Sequence, residues 1–86
     1  MQVSVYDTYV TRTDGAVMHF DILVPSSLTN EATIHQYGKT YLATKGQAGQ
    51  PLTAKECRYC HIEQASDEVQ ASIASQGFHI IEMQGC

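Results

Sequence analysis

The side chains in this sequence best suited to chemistry are crowded into one short stretch, Glu56-Cys57-Arg58-Tyr59-Cys60-His61. Two of the three cysteines and one of the four histidines lie within it, and the third cysteine is Cys86. Thiolates and imidazoles bind transition metals, exchange disulfides and hold haem. Cys57-x-x-Cys60 is half of a zinc site, provided the backbone between the two thiols turns. Cys86 is the candidate third ligand, if the last strand runs beside the cysteine segment. His61 is the candidate fourth, with His79 and His19 as substitutes. A regular strand over 57–62 would send Cys57 and Cys60 to opposite sides and prevent a shared metal.

Three other readings of the same stretch stand beside zinc. A C-x-x-C pair can work as a redox dithiol, although thioredoxin-like motifs place it at a helix N-terminus, and here a helical turn is expected before it. Cys57-Arg58-Tyr59-Cys60-His61 satisfies the C-x-x-C-H pattern of covalent haem attachment, a short motif that also arises without haem. The plainest reading is that the cysteines are small half-buried residues with no partner.

The rest of the chain must position these groups. Residues 2–11 and 16–24 read as two strands joined at Asp14-Gly15, a strong hairpin signal. A two-residue turn there pairs Tyr9 with Phe20, Asp7 with Ile22 and Val5 with Val24. One face then carries Val3, Val5, Tyr9, Met18, Phe20, Ile22 and Val24, and Asp7 falls among them. An unpaired carboxylate on an apolar face could act as a general acid or base, but usually accepts hydrogen bonds near a sheet end. The other face carries His19 and Asp21, two residues apart, which could line a site or simply be surface.

Thr29 or Asn30 caps a helix starting near Glu31, with Ile34, Tyr41 and Leu42 at helical spacing and Gly46 as its stop. Gly38 inside that helix costs about 1 kcal/mol relative to Ala, which marks a close approach to the sheet. Thr53-Ala54-Lys55-Glu56 fits a capping box leading into the cysteines. Ser66-Asp67-Glu68 starts a second helix with Val69 and Ile73 inward, and Gly77 ends it. Residues 78–83 read as a last strand. The expected fold is α+β, a two-layer sandwich with the hairpin and the C-terminal strand in one sheet and two helices on one face.

These segments resemble a known family. Val3-x-Val5-Tyr6-Asp7-Thr8-Tyr9-Val10, Asp14-Gly15, Met18-His19-Phe20-Asp21, the Glu56–His61 stretch and Met83-x-Gly85-Cys86 are similar, in order and spacing, to a family of short bacterial proteins catalogued as a domain of unknown function. The resemblance implies a compact α+β domain and brings no activity, substrate or cofactor.

Composition bounds the function. Eighty-six residues with a net charge of −4 make one small domain, and its five Lys and Arg are scattered. A non-specific nucleic-acid binder needs a basic stripe, so nucleic acid is not an expected partner. No apolar stretch approaches the roughly 20 residues of a membrane span, and no export signal precedes the first strand. The sequence therefore reads as a cytoplasmic binding or interaction module, not an enzyme, with a structural zinc on Cys57, Cys60, Cys86 and a histidine. The alternative is a thiol redox protein. An unidentified protein partner or a homodimer is compatible with strands left at a sheet edge.

Overall fold

The computed structural model describes all residues, Met1–Cys86. Six elements follow: β1 (Gln2–Thr11), β2 (Val17–Pro25), α1 (Glu31–Thr44), β3 (Cys57–Gln64), α2 (Asp67–Gln76) and β4 (His79–Gln84). Five are those expected, and the cysteine segment, open in sequence between turn and strand, is the sheet's additional strand β3. The four strands form one antiparallel sheet in the order β3-β1-β2-β4. The class is α+β, with the hairpin and the last strand in one sheet as the sequence implies. No helix is long and apolar enough to cross a membrane.

The helix ends are set by local chemistry. The Asn30 side chain accepts from the Thr33 N–H at the start of α1, and the Ser66 side chain accepts from the Val69 N–H at the start of α2. Each satisfies one of the amides that a helix start leaves without a partner. Gly77 ends α2 in the left-handed conformation at φ 93°, where a Cβ would be strained. Gly38 does mark a close approach. A Cβ there would lie 2.5 Å from Leu52 Cδ1 and 3.0 Å from Ile22 Cδ1.

The hairpin register differs from the expected one by one residue. Tyr9 faces His19, Asp7 faces Asp21 and Val5 faces Leu23. The turn holds three residues, Thr13 to Gly15, instead of two. The Arg12 N–H donates to the Ala16 carbonyl at 2.7 Å, and the Gly15 N–H donates to the Arg12 carbonyl at 3.0 Å. Gly15 stands at φ 89°. This is a type I turn closed by a left-handed glycine, the usual three-residue hairpin loop. Because side chains alternate, the slip moves one whole strand's residues to the other face. Asp7 therefore leaves the large apolar face.

The helices, expected together on one face, lie on opposite faces. Ile34, Tyr41 and Leu42 of α1 pack with Val10, Met18, Phe20, Ile22 and Val24. Val69 and Ile73 of α2 pack with Val3, Val5 and Leu23. Ile22 and Leu23 are neighbours in one strand, so they point to opposite sides. The run Ile22-Leu23-Val24 is apolar on both faces, and each face must be covered. Both outer strands are bulged. On β3 the register skips Cys60, between Tyr59 and His61, and on β4 it skips Met83. Bulges of this kind blunt a free sheet edge.

Candidate functional site

The α2 face is only half covered. α2 sits over the end carrying Val3, Val5, Leu23 and Ile81. Toward the hairpin turn the same face is open and polar. Asp7 and Asp21 stand opposite each other there, and His19 stands opposite Tyr9. One ligand atom each from Asp7, His19 and Asp21 lies within 4.8 Å of the others. His19 Nε2 is 2.5 Å from Asp7 Oδ1. The His19 ring stacks on the half-exposed Tyr9 ring, centroid to centroid 4.1 Å at 12°. That stack fixes the imidazole plane and aims Nε2 at the carboxylates.

Asp21 is the unusual member. It is only 8% exposed, and no protein N–H or O–H donates to its carboxyl. The group within hydrogen-bonding reach is the carboxyl of Asp7, itself an acceptor. Burial pushes the Asp21 carboxyl above the ordinary carboxylate range, and the neighbouring Asp7 carboxyl adds to the shift. Two carboxylates facing across a ladder repel, so the pair needs a proton or a cation between them. Arg58 of β3 is in register with Asp7, yet no salt bridge joins it to either aspartate. His61, in register with Val5, shares this face and lies 3.3 Å from Glu63. Two surface clefts, of about 320 and 340 Å³, lie elsewhere, the first sharing only Tyr9 with this cluster.

The structure does not bring the cysteine ligand set together. All three cysteines are free. Cys57 is 4% exposed and packs in the core on the α1 face, where burial raises its thiol pKa. Cys60 is the unpaired bulge residue of β3 and is exposed. Cys86 follows β4, on the far side of the sheet, with Sγ 3.5 Å from the His19 carbonyl. β1 lies between β2 and β3, which puts Cys86 roughly 10 Å or more from the β3 thiols at the usual strand spacing. The last strand does not run beside the cysteine segment, the condition that made Cys86 a third ligand. His61 faces away from Cys57, and the two substitute histidines have other partners. His79 Nδ1 is 2.8 Å from Ser72 Oγ, and His19 is held by Asp7.

The turn before β3 does form as its sequence implies. Glu56 Oε1 accepts from the Thr53 N–H and hydroxyl, both at 2.8 Å, and these bonds hold the Glu56 carboxyl below its usual range. The turn delivers Cys57 into the sheet and does not place two thiols at one point.

Comparison with known proteins agrees with the fold. The model of a domain of unknown function, DUF2024, matches residues 1–83. The chain belongs to the DUF2024 family. It is also similar to protein NE1680 from Nitrosomonas europaea, whose NMR structure shares 42% sequence identity. That likeness covers 100% of this chain and 99% of the other, with a TM-score of 0.86. No curated protein matches the sequence.

Sequence reasoning singled out Asp7, His19 and Asp21 but set Asp7 on the opposite face from the other two. Turn length is the signal that would have joined them. Thr13-Asp14-Gly15 suits a three-residue loop with glycine last as well as Asp14-Gly15 suits a two-residue one.

Proposed function

We propose that this DUF2024 domain is a small binding module that works through the open half of its α2 face. Asp7, His19 and Asp21 form the floor of that surface, and Tyr9, Arg58 and His61 stand around it. The observation that carries this reading is Asp21, a buried carboxylate set opposite a second carboxylate with no protein donor. Such an arrangement lowers stability, and groups that break local rules at a stability cost concentrate at functional sites. A working surface here suits the geometry better than one on Cys57, Cys60, His61 and Cys86, which are divided between faces and edges of the sheet.

The experiment is thermal unfolding of Asp21→Asn against the parent, both metal-free in the presence of a chelator, so that loss of a bound ion cannot lower Tm. The amide keeps the shape and can donate to Asp7. Removing like-charge opposition on a strand pair is worth about 0.2–1 kcal/mol, and relief of burial adds to it. A gain near 1 kcal/mol raises Tm by roughly 4–8 °C in a domain of this size. Stabilisation would show that the carboxylate is kept for something other than the fold. A fall in Tm would make Asp21 a structural group and overturn the reading.

A further inference from the structure

We propose that Asp7, His19 and Asp21 together bind one first-row divalent cation, of the manganese, iron, cobalt or zinc class, on the open half of the sheet. The inference rests on the reading of that face as the binding surface, and names its ligand. Three observations carry it. The donors come from adjacent positions of two paired strands, Asp7 directly opposite Asp21 and His19 two residues from Asp21 on the same face. A sheet ladder holds such positions rigidly, which a metal site requires. One donor atom of each residue lies within 4.8 Å of the others. Ions of this class take nitrogen and oxygen ligands at about 2.0–2.2 Å, so donors around one ion stand roughly 3–4 Å apart. The ion would replace the proton that joins His19 Nε2 to Asp7 Oδ1 at 2.5 Å and spread those two atoms.

The second observation is Asp21 itself. It is nine-tenths buried, points into the cluster, and receives no hydrogen bond from any protein donor. A cation is the partner that such a carboxylate fits, because the group within its reach is the Asp7 carboxyl, whose own partner is His19. The third is the charge around the cluster. Arg58 is in register with Asp7 but forms no ion pair with it, and His61 is turned to Glu63. His19 is the basic group hydrogen-bonded to Asp7, and as a neutral imidazole it is a metal ligand.

The donor set selects the class of ion. Calcium takes six to eight oxygen ligands and magnesium prefers oxygen alone. One imidazole with two carboxylates suits first-row transition ions. Three protein ligands leave coordination positions open toward solvent, where water or an anionic small molecule can enter. The Tyr9 ring stacked behind His19 keeps the imidazole in one plane, the orienting role that outer groups take at metal sites.

The test uses the full chain with Mn²⁺ alone and Zn²⁺ alone as probes. Calorimetric titration with Zn²⁺ should give one site per chain. Mn²⁺ should broaden amide NMR signals around Asp7, His19 and Asp21 before any others. His19→Ala and Asp21→Asn should each weaken binding by at least about tenfold, with folding of each variant checked by its amide spectrum. A Cys60→Ser/Cys86→Ser double variant should bind as the parent does. Three results would overturn the proposal: no saturable binding, broadening centred on Cys60, Cys86 or His61–Glu63, or unchanged affinity in both site variants. The outcome is separable from that of the underlying reading. If Asp21→Asn stabilises the fold yet no cation binds, the cation assignment fails and the binding surface stands. If Asp21→Asn destabilises the fold, the surface reading fails.

Discussion

Replacing Gly38 with alanine tests how α1 and the loop before β3 are seated on the sheet. Two effects of opposite sign compete. In an ordinary helix interior the change stabilises by about 1 kcal/mol, because glycine has more backbone freedom to lose. Here the new methyl would lie 2.5 Å from Leu52 Cδ1 and 3.0 Å from Ile22 Cδ1, against an ordinary carbon contact of about 3.5–4.0 Å. Leu52 must therefore retreat by roughly 1 Å. It is the end of a flexible side chain, but it is 2% exposed and closed in by the core. Overpacking of this kind costs about 1–3 kcal/mol. The net expectation is a loss of about 0–2 kcal/mol, the difference between the overpacking cost and the helix gain. Urea unfolding of Gly38→Ala, Leu52→Ala and the double variant measures it. Leu52→Ala alone should cost about 2–5 kcal/mol. The double variant should be more stable than the sum of the single changes implies, by about 1 kcal/mol or more, because the methyl fills the space that Leu52 vacates. A full 1 kcal/mol stabilisation by Gly38→Ala alone would refute the close approach, and so would strict additivity in the cycle.

Three further outcomes follow from other parts of the fold. A colorimetric thiol reagent should titrate two cysteines quickly in the native protein, Cys60 and Cys86, and the third only on unfolding, because Cys57 is buried with a raised thiol pKa; three fast thiols would contradict that packing. Lys45 Nζ at 2.7 Å and the Tyr41 hydroxyl at 2.5 Å hold the Glu82 carboxyl below its usual range. A depressed folded pKa adds stability above the unfolded pKa and loses it as pH falls through the folded value, so the Tm deficit of Glu82→Gln should be present at neutral pH and vanish in acid, whereas a pH-independent offset would count against the pairing. Gly15→Ala should cost about 1–2 kcal/mol for a left-handed residue and Gly15→Asn less; equal costs in chemical unfolding would rule out the three-residue turn.

Much of the fold was legible because its signals are local. Asn30 and Ser66 cap the helices through side-chain oxygens, and Gly77 stops α2. Each depends on a few neighbouring residues. Two features needed information that sequence alone leaves open. The side taken by α2 depends on β2, which is apolar on both faces through Ile22, Leu23 and Val24, so neither face could be excluded as its seat. Strand alternation already parts Cys57 from Cys60, and one bulge decides where His61 goes. With Cys60 skipped in the ladder, His61 moves to the α2 face while Cys57 stays in the core, and the compact C-x-x-C-H stretch is divided in space.

The hairpin register decides the candidate site, and distant packing fixes that register. The two-residue turn would place Val3 and Val5 on the α1 face, beside Ile22 and Val24. It would then leave Ser4 and Tyr6 beneath Val69 and Ile73, where α2 has its only apolar stripe. The observed register gives α2 its own floor of Val3, Val5 and Leu23 and still leaves α1 the even-numbered residues of β2. Covering both faces outweighs a closer match on one, since buried apolar area is the dominant favourable term. Alternation then carries the consequence along the strands: if Val5 must face Leu23, Asp7 must face Asp21. Packing thus explains why these two positions meet, but not why both hold aspartate. Threonine or serine would suit a half-open sheet face without like-charge repulsion. Packing fixes the register but not the choice of residue: His19 pairs with Asp7, and the proposed cation would account for Asp21.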